Sequence, residues 1–210
     1  MTAARDTILQ RIRQAVAHAP AAEPSHEPAY RRSLDLDAVA LVALFAERIA
    51  DYDVTVRETN AGGLPAALTE VCSEHGVRRL AVPLDLPDAW RPLEVELVRD
   101  DELGSSQLDT LDGALTGCLL AIAETGTIVL DCGPAQGRRA LTLVPDLHIC
   151  VVFTDEIVGT VPEAFERISV ERPVTFVSGP SATSDIELNR VRGVHGPRRL
   201  DVVIVKRIAS

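Results

Sequence analysis

Two stretches constrain the architecture more than any others. His148–Phe153 (HICVVF) and Leu200–Val205 (LDVVIV) are nearly unbroken aliphatic runs. They lack the polar alternation of a strand with one wet face, so each reads as a strand covered on both sides. Shorter apolar runs at 54–56, 80–82, 93–98, 127–131 and 174–178 bring the total to about seven strands. Helical patterns lie between them at 36–50, 64–75, 161–168 and 184–191, and a short buried helix is read in the first half of 113–133. Alternation of this kind predicts an α/β fold: a mostly parallel sheet of about seven strands covered by helices on both faces. A chain of 210 residues can bury a core of that size without disulfide or metal staples.

The N-terminal segment stands apart. Ile8, Leu9, Ile12 and Val16 recur at helical spacing, and residues 17–30 are rich in Ala, Pro and Glu. Residues 1–33 therefore read as an amphipathic helix plus linker, an arm outside a single domain at 34–210. The apolar stripe suits docking on its own domain or exchange between copies in a homo-oligomer. The net charge of −10 opposes a nucleic-acid role, because phosphate neutralisation needs a basic face. No apolar run reaches the ~18 residues of a membrane span, and the first residues have no uninterrupted apolar core of a signal peptide. The expected location is the cytoplasm. Cys72, Cys118, Cys132 and Cys150 show no CxxC spacing, so they read as buried thiols and no metal site is expected.

Three constellations carry candidate chemistry. The first is Glu124-Thr125-Gly126-Thr127, a carboxylate in a turn between apolar runs; it caps a backbone N–H, pairs with an arginine, or serves in catalysis. The second is Arg138-Arg139, an anion clamp or a surface pair. The third is 174–197. Ser178-Gly179-Pro180-Ser181 follows a strand, and Thr183, Ser184, Asp185 and Glu187 resemble a capped helix start with a Ser184/Glu187 capping box. Free N–H groups at a helix start would favour an anion. His195 lies between Gly193 and Gly196-Pro197, where an imidazole can act as acid, base or donor. Walker, GxGxxG, GxSxG and HExxH patterns are missing.

AIAETGTIVL (121–130), LVPDLHICVV (143–152), FVSGPSATSDIE (176–187) and VRGVHGP (191–197) together resemble the LUD-domain family, in matching order from about residue 34 onward. The resemblance implies a NagB/RpiA/CoA-transferase-like fold and a place in the oxidation of L-lactate to pyruvate. It implies partner proteins carrying iron–sulfur clusters, with no cofactor on this chain. Carried over by motif, the ligand site comprises Glu124, Thr125, Gly126, Ser178, Gly179, Pro180, Ser181, Thr183, Asp185, Glu187, His195, Gly196 and Pro197, and the residue reading adds Thr127 and Arg138. Glu124 and His195 are the candidates for chemistry, and a small anion is the expected ligand. In the wider superfamily such sites lie at the C-terminal ends of the strands, as they do in open α/β sheets generally. Two alternatives stand beside this reading: a CoA-transferase-like or sugar-phosphate-isomerase-like enzyme using Glu124, and a purely structural or regulatory subunit.

Overall fold

The computed structural model describes residues 2–17, 30–169, 171–184, 190–192 and 196–207. It forms two compact units, residues 1–31 and 32–210. In the first, helix α1 (Thr2–Val16) carries an exposed stripe of Ile8, Ile12 and Val16. Most of the expected linker lies outside the described residues.

The second unit opens with α2 (Ala38–Ala50). Asp37 caps it by accepting from the Ala40 N–H at 2.8 Å, and Val42, Phe45 and Ile49 form its buried stripe. Next come β1 (Thr55–Asn60) and α3 (Leu64–His75). Gly76 ends α3 in the left-handed conformation (φ 65°), where a glycine is favoured. Then follow β2 (Arg79–Val82), β3 (Glu96–Arg99), α4 (Ser105–Leu108), β4 (Gly113–Thr116), β5 (Leu120–Ile122), β6 (Thr127–Leu130), β7 (Leu147–Phe153) and β8 (Ile157–Val158). The chain continues through α5 (Val161–Arg167), β9 (Thr175–Val177), β10 (Ala182–Ser184), β11 (Arg190–Arg192) and β12 (Arg199–Lys206).

Six strands form an all-parallel central sheet in the order β1-β12-β7-β4-β2-β3. The two aliphatic runs, β7 and β12, are neighbours, with His148 opposite Leu200 and Cys150 opposite Val202. One face of the sheet packs on α3, through Leu64, Leu68 and Val71 against Leu80, Ile149 and Val203. The other face packs on α2 and on a second sheet of order β8-β5-β6-β9, through Phe45, Ile49, Ala121 and Ile128 against Cys150, Val152 and Ile204. Side chains this enclosed each contribute about 2 kcal/mol of burial. The α/β class and the mostly parallel sheet hold.

Three elements differ from the sequence reading. The first half of 113–133 is not a helix but the strands β4 and β5. A short apolar run has no readable period, and here close approach favours extended backbone: a Cβ on Gly113 would lie 2.9 Å from the Leu147 carbonyl oxygen. β9 joins the second sheet, antiparallel to β6, rather than the parallel sheet. Of the expected helix at 184–191, the described residues are strand: Ser184 ends β10 and Arg190 begins β11, in an antiparallel ladder that pairs Thr183 with Val191 and Ser184 with Arg190, while 185–189 lie outside the described residues. Ser184 is strand rather than the start of a helix, and Asp185 and Glu187 lie outside the described residues.

Candidate functional site

The antiparallel β6–β9 pair brings the ETG turn to the SGPS loop. Thr127 heads β6, and Ser178 follows β9 directly opposite. Their hydroxyls are 2.7 Å apart, and Thr125 Oγ1 lies 2.7 Å from Thr127 Oγ1. The Glu124 N–H donates to the Gly159 carbonyl at 3.0 Å. Both turns press on the end of α2. Gly126 has φ 59°, and a Cβ there would fall 2.5 Å from the Arg48 carbonyl carbon. Gly179 has φ 93°, and its Cβ would meet Tyr52 Cβ at 2.4 Å. Only glycine fits either position. On its far side the SGPS loop is tied to the HGP loop: the Ser181 N–H donates to the Pro197 carbonyl at 2.8 Å.

These loops wall a cavity of about 380 Å³. Ser178, Gly179, Pro180, Ser181, Gly196 and Pro197 line it, together with Arg139, Thr142, Leu143, Leu200 and the β9 residues 175–177. Its floor is His148, which is 2% exposed. Burial lowers the imidazole pKa from 6.5 to about 4, so the ring is neutral at physiological pH. His148 Nε2 lies 2.8 Å from Thr116 Oγ1 on the neighbouring strand. The cavity sits where β7 and β12 begin. The expected address at the C-terminal ends of the parallel strands is therefore corrected. β9 runs in the second sheet, and its end meets the N-terminal edge of the central one.

Arg138 is elsewhere. It grips Asp100 through Nε and Nη2, at 2.8 Å each, and also donates to the Leu103 carbonyl. The 7%-exposed Asp100 holds the guanidinium pKa above its ordinary value. This pair lines a separate cleft of about 520 Å³ beyond the C-terminal ends of β2 and β3, with Asp101, Glu102 and Arg172. Its neighbour Arg139 is the arginine that reaches the SGPS–HGP cavity. Glu124 is half-buried in its turn and does not line the cavity. Thr183 stands in β10. Asp185, Glu187 and His195 lie outside the described residues.

Sequence reasoning missed His148 and Thr116. The available signal was an imidazole at the head of an otherwise apolar buried strand, which needs a partner or a role. Of the cysteines, Cys72, Cys118 and Cys150 are buried as expected, but Cys132 is exposed, at φ 58°. Burial pushes the Cys72 thiol up to about 11. Among the described residues no group of three or more His, Cys, Asp or Glu is placed to hold a metal ion, and no helix is long and apolar enough to cross a membrane.

Comparison with known proteins fits this architecture. The LUD domain matches residues 91–205. Lactate utilization protein C of Deinococcus radiodurans is 43% identical over 203 residues, covering 94% of this chain and 93% of its own. The protein of the same name from Geobacillus kaustophilus is 31% identical, covering 70% and 71%. A crystal structure of a DUF162 family protein from Deinococcus radiodurans superposes with a TM-score of 0.71 at 41% identity, covering 81% of this chain and 99% of that one. On sequence and fold together, the chain belongs to the LUD-domain family.

Proposed function

We propose that this chain is a subunit of a cytoplasmic L-lactate utilization system, and that it binds a small anion in the SGPS–HGP cavity. The observation that carries this reading is the 43% identity to lactate utilization protein C along nearly the whole chain. The iron–sulfur clusters that oxidise L-lactate to pyruvate reside, in this reading, on partner proteins. The exposed stripe of α1 is then a surface for a partner or a second copy. Two features of the cavity support ligand binding: its polar walls are built from three separated segments, and its floor is a neutral imidazole. Glu124 is not among the residues that line this cavity, so the cavity itself does not favour the transferase-like alternative.

Deletion of the gene tests the proposal. The deletion strain should fail to grow on L-lactate while growing normally on pyruvate, and the intact gene should restore growth. Unimpaired growth of the deletion strain on L-lactate would overturn it.

A further inference from the structure

The floor of the cavity has a defined hydrogen-bonding direction. Thr116 has one hydroxyl hydrogen, and its Oγ1 donates to the Gly117 carbonyl at 2.9 Å. The 2.8 Å contact between the same oxygen and His148 Nε2 must then run the other way, with Nε2–H as donor. In a neutral ring this leaves Nδ1 with its lone pair and no proton. Nδ1 has no hydrogen-bond partner among the described residues, yet every fully enclosed side-chain nitrogen and oxygen there has one. Nδ1 is therefore not enclosed. The space it opens on is the cavity that His148 lines.

The second determinant is charge. Arg139 lines the same cavity and forms no ion pair with the described residues, whereas Arg138 beside it is committed to Asp100. We propose that the cavity binds a hydroxylated organic anion, whose hydroxyl donates to His148 Nδ1 and whose anionic group meets Arg139. The class follows from the two groups. An unprotonated imidazole nitrogen accepts and cannot donate, so the ligand brings the proton. A guanidinium selects a carboxylate or phosphate. A simple carboxylate leaves Nδ1 unmet, and a neutral alcohol leaves Arg139 unmet. The volume of about 380 Å³ admits ligands well beyond a three-carbon hydroxy acid.

The choice of L-lactate as first probe rests on the function proposed above; the site chemistry does not. Full-length protein labelled with 15N-histidine is titrated with L-lactate and with propionate, the same acid without its hydroxyl. A second pair, glycerol 3-phosphate and propyl phosphate, probes the phosphate form of the ligand. Long-range 1H–15N spectra should show His148 as the Nε2–H tautomer in the free protein. At least one hydroxylated member should shift the Nδ1 resonance saturably, and its hydroxyl-free counterpart should bind at least tenfold more weakly. R139Q should weaken the hydroxylated ligand at least tenfold without changing the tautomer or the melting temperature. An Nδ1–H tautomer overturns the inference. So does an Nδ1 resonance unmoved by both hydroxylated probes, or binding undiminished in R139Q. If H148Q abolishes binding yet restores growth of the deletion strain on L-lactate, cavity binding is dispensable to the pathway and the subunit assignment stands. If the deletion strain grows normally but Nδ1 responds as described, the subunit assignment falls and the binding site stands.

Discussion

Burial holds the imidazole of His148 neutral, and that fixes a pH dependence. Its pKa is about 4 in the folded chain against 6.5 for an unperturbed imidazole. Between those values the unfolded chain binds a proton that the folded chain does not, so stability rises with pH across this window. The contribution is fully present above pH 6.5 and is lost as pH falls through 4, at about 1.4 kcal/mol per unit. From pH 6.5 to pH 5 the expected loss is about 2 kcal/mol, read from urea denaturation midpoints. His148→Gln keeps an amide donor for Thr116 and removes the titration, so its profile should be flatter by that amount. Identical profiles for the two proteins would contradict the buried neutral ring. Gly126 makes a second residue-scale prediction. Alanine there must hold φ 59° and place its Cβ 2.5 Å from the α2 backbone. The left-handed backbone costs about 1 kcal/mol and overpacking a further 1–3. Gly126→Ala should therefore lose about 3 kcal/mol in the same assay; a loss under 1 kcal/mol would show that the turn can move off α2.

The element scale separates what the sequence makes legible from what it does not. β7 and β12 were legible because their runs are short, rich in β-branched Val and Ile and flanked by polar residues, which favours a buried strand over a helix. A helix ending near Gly76 was legible because a glycine after a helical pattern is a local signal, whereas the pattern at 36–50 starts two residues ahead of Ala38, where α2 begins after its Asp37 cap. The strands β4 and β5 were not, since GALTGCLLAI owes its extended form to a neighbour 34 residues away: Leu147 lies against Gly113. Ser184 misled for the opposite reason. Its capping-box spacing is a genuine local signal, but its backbone stands in β10 opposite Arg190 across the ladder. The same logic governs the site. Gly179-Pro180 and Gly196-Pro197 are visible as turns, but only the fold shows that Ser181 and Pro197 bond to each other. A third element-scale feature is Asp201, 2% exposed on β12. It joins β1 through Arg57 Nη1 at 3.0 Å and α3 through His75 Nε2 at 2.8 Å. Removing the buried carboxylate leaves the half-buried Arg57 and His75 without it, although Arg57 keeps Glu74; breaking a fully buried pair costs about 3–5 kcal/mol. Asp201→Asn should fall near the lower figure in chemical denaturation, because the amide retains one acceptor oxygen. A change within 0.5 kcal/mol would mean that the cluster is not coupled to folding.

At the scale of the molecule the central sheet presents two different ends. Beyond the C-terminal ends of β2 and β3, Arg138 is neutralised by Asp100 and acidic side chains dominate. Where β7 and β12 begin, a guanidinium with no ion pair among the described residues and a neutral imidazole face one cavity. In a chain of net charge −10, that second end offers local positive charge, which favours the anion proposed above. The core that supports it belongs to the second unit: every buried apolar side chain among the described residues lies at or beyond Val42. We place the domain boundary near Arg32, because the Arg32 carbonyl accepts from Thr160 Oγ1 at 2.7 Å and Leu34 packs on Gly159. A fragment spanning 32–210 should then fold alone and melt cooperatively within about 3 °C of the full chain. A fragment starting at residue 38 loses that hydrogen bond, about 1 kcal/mol, and the burial of Leu34, about 1 kcal/mol more. Its melting temperature should fall by about 4–8 °C. Equal melting of the two fragments would move the boundary C-terminal to Leu34. Loss of a cooperative transition in the longer fragment would show that residues before Arg32 are needed for the domain to fold.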